Sequence, residues 1–171
     1  MELFAACLAA LNEADPARKC ALADALFQSW LAGEVEIDEA LPVLPTAEPG
    51  GPAKPELVPP LEVPRRKITS ASGRAALLHA IAHIEFNAIN LALDAAYRFR
   101  GMPREFYGDW LKVAAEEALH FRLVRDHLHS LGHAYGDFPA HNGLWEMAVK
   151  TAPDPLVRMA LAQAEAGADI L

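Results

Sequence analysis

Cysteine is nearly absent from this sequence. Cys7 and Cys20 are the only two in 171 residues, too few for a disulfide scaffold, and both are expected as reduced thiols. Basic charge is also short: 15 Lys and Arg stand against 23 Asp and Glu, a net charge of −8. Coating a nucleic acid needs a clustered positive surface, so that function class is excluded. Arg65-Arg66-Lys67 is the one basic run, and three residues make a weak patch. No stretch holds the ~18 consecutive apolar residues of a membrane span. The opening residues, Met1-Glu2-Leu3-Phe4, lack the basic lead of a signal peptide, so a cytoplasmic chain is expected. No β-rich stretch, fixed-period repeat or glycine-rich phosphate loop is present.

What is there is helical. Residues 2–14 and 16–33 read as two short helices, an N-terminal hairpin within residues 1–34. Asp15-Pro16 supplies a cap followed by a first-turn proline, and Gly33 supplies a stop. Eight of the thirteen prolines then fall between Pro42 and Pro64, so residues 35–72 read as an extended linker draped over the rest. Residues 73–171 form the main helical region. Its core is two long helices, 73–99 and 104–131, separated by Gly101-Met102-Pro103 and ended by Gly132. At 1.5 Å per residue each is about 40 Å long, and the short connection makes them antiparallel. Residues 133–142 read as a loop, and 143–151 and 154–170 as two shorter helices, the second opened by Asp154-Pro155. The class is all-α.

All seven histidines lie between His79 and His141. On the first long helix, His79, His83, Asn87, Asn90, Asp94 and Arg98 share one stripe, and a polar stripe is read first as a solvent face. Glu85 lies roughly opposite, at the helical step of about 100° per residue. It sits among Ile81, Ala82, Ala88, Ile89, Ala92 and Ala96, on the face that should pack. On the second long helix Glu117 occupies the centre of an apolar stripe of Trp110, Val113, Ala114, Phe121, Val124 and Leu128. His120 follows one turn on. Neither apolar face carries Lys or Arg. A buried ionised carboxylate without a partner costs several kcal/mol, so these groups need a hydrogen-bond network or a metal. A Glu on one helix and a Glu-x-x-His on its neighbour make half of a dinuclear carboxylate site. Mixed carboxylate and imidazole donors suit iron or manganese. From the residues alone, metal ligands and an internally satisfied polar core both stay open.

Four stretches carry a resemblance. They are Ala82-His83-Ile84-Glu85, Met102-Pro103-Arg104-Glu105-Phe106-Tyr107, Ala115-Glu116-Glu117-Ala118-Leu119-His120-Phe121, and residues 135–146 from Tyr135 through Trp145 to Glu146. Over about residues 70–161 the chain resembles the ferritin-like family catalogued as domain of unknown function 455. The resemblance implies a ferritin-like four-helix bundle with Glu85, Glu117 and His120 as metal ligands. It also implies a distant likeness to diiron hydroxylases that act on modified tRNA.

The family pattern has a second Glu helix and a second Glu-x-x-His helix after residue 161, and these ten residues hold no histidine. The bundle is therefore expected to be incomplete in this chain, with a homodimer or another protein supplying the other half. Glu165 could stand in for one carboxylate. His141 and Glu146 could line the entrance to the site, or the region of Asn142 could cap a helix. His127, His129 and His133 are expected at the surface. The expected function is a metal-dependent oxidase or oxygenase using O2 on a small-molecule substrate. The alternatives are a non-catalytic metal-binding bundle, a helical interaction module, or an inactive truncated member.

Overall fold

A computed structural model describes residues 1–44, 46, 48–64 and 66–168, and the side chains only as far as residue 161. Glu165 therefore lies outside the described side chains. The order is α1 (Leu3–Asn12), α2 (Pro16–Leu31), a single 3-10 turn at Pro60–Glu62, then α3 (Ala71–Arg98), α4 (Arg104–Ser130), α5 (Gly143–Lys150) and α6 (Pro155–Ala168). No strand occurs among the described residues. Two isolated parallel bridges, Glu2 with Glu36 and Leu57 with Ala140, tack the linker to the helices.

The helix ends follow local chemistry. The Asp15 carboxylate accepts a hydrogen bond from the Arg18 N–H, 2.8 Å away, and Pro16 opens α2. Ser70 caps α3 through the Gly73 N–H. Gly101 and Gly132 take positive φ just beyond α3 and α4, where an L side chain would be strained. Asp154 caps α6 through the Leu156 and Val157 N–H groups.

The long pair α3–α4 is the centre of the molecule. Helix α1 packs on α3 and α2 on α4. Leu3, Phe4, Leu11, Ile89, Leu93, Leu111 and Phe121 share one buried core across these helices. Each such side chain contributes about 1.5–3 kcal/mol when fully buried. Cys7 and Cys20 are free thiols inside it. The linker follows the surface: Gly50 N–H donates to Leu11 O, Leu44 N–H to the Tyr97 hydroxyl, and Val58 N–H to Ala140 O.

The polar stripe of α3 corrects the expectation of a solvent face. His79, His83, Asn87, Asn90 and Asp94 are all buried. The loop 132–142, Lys19 of α2 and helices α5 and α6 supply partners there that the sequence does not display. Gly136 N–H donates to His79 Nε2, Lys19 Nζ to Asn90 Oδ1, and Arg158 to Asp94. By length and mean hydropathy alone α3 could cross a membrane. Here more than half of its most apolar stretch is buried by packed elements and its polar stripe by hydrogen bonds.

Candidate metal centre

Glu85 stands at mid-length on α3, and Glu117 and His120 stand at mid-length on α4. A helix turns 3.6 residues at a time, so Glu117 and His120 lie one turn apart on nearly the same side. The antiparallel crossing brings Glu85 opposite them. One donor atom from each of the three lies within 4.8 Å of the others. His120 Nδ1 is 3.1 Å from Glu117 Oε2 and 4.0 Å from Glu85 Oε2. One carboxylate oxygen of Glu85 and one of Glu117 thus lie close enough for a single ion to reach both.

Burial departs from expectation. Full burial was predicted by the central place of these residues on apolar stripes. Glu85 and Glu117 keep 22% of their side-chain exposure, and His120 keeps 52%. Helices α1 and α2 cover the other flank of the α3–α4 pair, where Arg122 of α4 also bonds Asp24 of α2. Among the described residues, no element lies over the flank that carries the three donors.

Partial burial and the neighbouring carboxylate of Glu117 push the Glu85 carboxyl up to about 8. Desolvation is the larger cause, followed by the hydrogen bond and repulsion from Glu117. Glu85 is therefore held mostly protonated at neutral pH. No Lys or Arg ion pair reaches either of them among the described residues. Glu116, next to Glu117, points away and pairs with Lys112 at 3.7 Å. The donor set therefore fits a divalent transition metal: two hard carboxylates, one imidazole, and no competing cation. Such an ion would be held by Glu85, Glu117 and His120.

Behind the donors lies an aromatic layer. Phe86 and Phe121, which follow Glu85 and His120 in sequence, have ring centroids 5.5 Å apart. Tyr135 packs edge-on against Phe121 at 5.1 Å. Its hydroxyl is 2.8 Å from His83 Nδ1. His83 Nε2 faces the His141 carbonyl and the Asn87 amide. His79 stacks on Tyr135. Burial lowers both His79 and His83 to about 4, so both are neutral at pH 7.

This buried histidine network was missed as a network. A signal was available: a solvent face on a helix of 28 residues would carry several Lys and Glu, and α3 has only Arg74, Glu85, Asp94 and Arg98 charged. The remaining candidates stand apart from the three donors. His141 caps α5, its Nδ1 accepting the Gly143 N–H, while Asn142 makes no side-chain cap. Glu146 is exposed, as are His127 and His129; His133 is half-buried. Trp145 is in the core and Trp30 lies under Arg104.

The fold and site define a helical-bundle protein with a carboxylate–imidazole cluster between two facing helices. The chain belongs to the family described as "Protein of unknown function (DUF455)", whose profile matches residues 12–168. It is similar to an uncharacterized protein of Haemophilus influenzae, 48% identical over 89% of this chain. The chain spans 56% of the length of that relative. No solved structure matches it.

Proposed function

We propose that this chain is the metal-holding part of a ferritin-like carboxylate centre for iron or manganese, in an oxidase or oxygenase of small molecules. The observation that carries the reading is the convergence of Glu85, Glu117 and His120 within 4.8 Å across two helices, with no Lys or Arg paired to them among the described residues. A Glu facing a Glu-x-x-His is the donor half-set of dinuclear helical-bundle sites. When bound, such metals supply redox chemistry toward dioxygen and Lewis acidity toward an oxygen ligand.

The chain's own residues have simpler tasks. Glu117 and His120 are fixed one turn apart by α4, which presets their relative position. Glu85 gives up its proton on metal binding, since a metal-bound carboxylate is ionised. Phe86, Phe121 and Tyr135 close the inner side of the cluster to water, while the open flank leaves room for further ligands. A non-catalytic metal-holding bundle would use the same donors.

Metal analysis of protein purified without chelator tests the reading. Iron or manganese retained by the wild type and lost in Glu117→Ala supports it. Wild type carrying no metal after incubation with Fe(II) or Mn(II), with helical circular dichroism intact, removes it.

A further inference from the structure

We propose that Tyr135 and His83 form a one-electron relay behind the metal donors, in which the phenol gives up an electron while its proton crosses the hydrogen bond to His83 Nδ1. The proposal rests on the metal reading above and adds to that site the side chain that feeds it electrons.

The partner of the hydroxyl is the first argument. A phenol yields an electron readily only when a base takes its proton at the same time, because the phenol radical cation is a very strong acid. The chain has three tyrosines. The Tyr107 hydroxyl donates to the Phe99 carbonyl at 3.0 Å, with the Glu39 carboxylate no nearer than 3.4 Å. The Tyr97 hydroxyl accepts the Leu44 N–H at 2.7 Å. Of the three, only Tyr135 has its hydroxyl against a ring nitrogen, His83 Nδ1, at 2.8 Å.

The direction of that bond is the second. The His141 carbonyl lies 3.2 Å from His83 Nε2 and can only accept, so Nε2 carries the ring hydrogen. Nδ1 then holds a lone pair and accepts the Tyr135 O–H. In the other tautomer the Tyr135 O–H and the His141 carbonyl would both lose this partner. The Asn87 amide, 3.1 Å from Nε2, suits the first tautomer with its oxygen turned toward the ring, since amide oxygen and nitrogen have the same shape.

Place is the third. The Tyr135 ring is half-buried and packs on Phe121 at 5.1 Å, on Phe86 at 5.9 Å and on His79 at 5.4 Å. Phe121 follows His120, and Phe86 follows Glu85. One layer of rings therefore separates the phenol from two of the three donors. The hydroxyl points to buried His83, so a radical there is kept from water.

One electron passes from Tyr135 to an oxidised metal ion held by Glu85, Glu117 and His120, which is reduced by one unit; dioxygen is the ultimate oxidant. The phenolic O–H bond breaks and an N–H bond forms at His83 Nδ1. The products are a neutral phenoxyl radical and a His83 imidazolium, whose Nε2–H bond to the His141 carbonyl strengthens with the charge. Return of one electron and that proton restores the pair.

Flash photo-oxidation of the metal-free full chain by a soluble ruthenium(III) complex tests this, read by electron paramagnetic resonance on samples frozen after the flash. A second series is loaded with Mn(II), and its bound manganese is measured. The expected result is a tyrosyl radical in wild type whose yield falls at least tenfold in Tyr135→Phe. It should fall by a similar factor in His83→Gln, whose amide accepts a hydrogen bond but not a proton. Wild type grown with isotopically labelled histidine should show a nitrogen coupling to the radical, a readout that needs no variant to fold. Bound Mn(II) should shorten the spin relaxation of the radical at least tenfold, a magnetic effect that acts only at short range. No radical in wild type, an equal yield in Tyr135→Phe, or no nitrogen coupling overturns the proposal and leaves the metal reading standing. Manganese held by the chain that leaves the relaxation unchanged overturns it as well. A chain that holds no manganese overturns both.

Discussion

Arg158 Nη1 lies 2.8 Å from Asp94 Oδ2, with both side chains sealed from solvent. The same Arg158 donates through Nε to the Thr151 hydroxyl and through Nη2 to the Ala148 carbonyl. Asp94 also accepts from Arg98 one turn along α3. This network ties α6 and the end of α5 to the middle of the core.

Removing Arg158 takes from Asp94 one of its two guanidinium partners and from Thr151 and Ala148 a buried donor, at about 1–3 kcal/mol for each buried group left short of a partner. Arg158→Ala is therefore expected to lower the melting temperature by roughly 10 °C, since 1 kcal/mol shifts a chain of this size by about 2–4 °C. The double replacement Asp94→Leu with Arg158→Leu should recover a large part of that loss. Thermal unfolding followed by circular dichroism compares the three. Equal melting of Arg158→Ala and wild type would show that the pair holds nothing.

Glu85 gives a pH-dependent expectation in the metal-free protein. Its folded value, about 8, is above the ordinary carboxylate value of 4.5. The folded state thus binds the proton more tightly than the unfolded one. The cost of the free carboxyl is absent below about pH 4.5, grows as pH rises, and is complete above about 8. Glu85→Gln should match wild type in stability at pH 4.5 and exceed it at pH 8. Denaturant titrations at the two values measure the difference, and an advantage that is the same at both would refute the assignment.

Glu117 separates binding from folding. Replacing it with Gln removes a charge that is a liability without metal, so the apo fold should be as stable as wild type or more so. Metal affinity should fall at least tenfold, because the carboxylate facing both other donors is gone. Calorimetric titration with Mn(II) beside thermal unfolding reads both quantities. A large drop in apo melting temperature would identify Glu117 as part of a structural network instead.

Much of this molecule was legible in the sequence, and the reason is local chemistry. Asp15-Pro16, Gly101-Met102-Pro103, Gly132 and Asp154-Pro155 set helix ends without reference to anything distant. The pairing of Glu85 with Glu117 and His120 was legible because helical period and one short turn fix which sides meet. The degree of burial was not. A stripe shows which side packs, but the cover over that side comes from other elements, and here α1 and α2 went to the opposite flank. Likewise Asp94 has, besides Arg98 one turn along, the partner Arg158, 64 residues away, which no local pattern announces. The stripe from His79 to Asn90 misled because His and Asn serve equally in water and in a hydrogen-bonded interior.

That stripe supports one more expectation, about acid. His79 Nε2 accepts the Gly136 N–H at 2.9 Å, and His83 is 2.8 Å from the Tyr135 hydroxyl and 3.2 Å from the His141 carbonyl. Together they clasp the loop 132–142 to α3. A nitrogen that accepts an N–H cannot also carry a proton, so the His79 bond requires the neutral ring. Burial lowers both histidines to about 4, against 6.5 in the unfolded chain, with the charge of Asp137 partly opposing the shift at His79. The unfolded state therefore takes up protons first. Stability from the neutral rings is complete above pH 6.5 and is lost progressively as pH falls toward 4. His79→Gln keeps an acceptor for the Gly136 N–H through its amide oxygen but does not titrate. It should lose less stability than wild type between pH 7 and pH 5, and amide exchange at Gly136 should stay slow there while it accelerates in wild type. Identical acid profiles for the two proteins, with identical exchange at Gly136, would exclude His79 as the acid-sensitive element of the clasp.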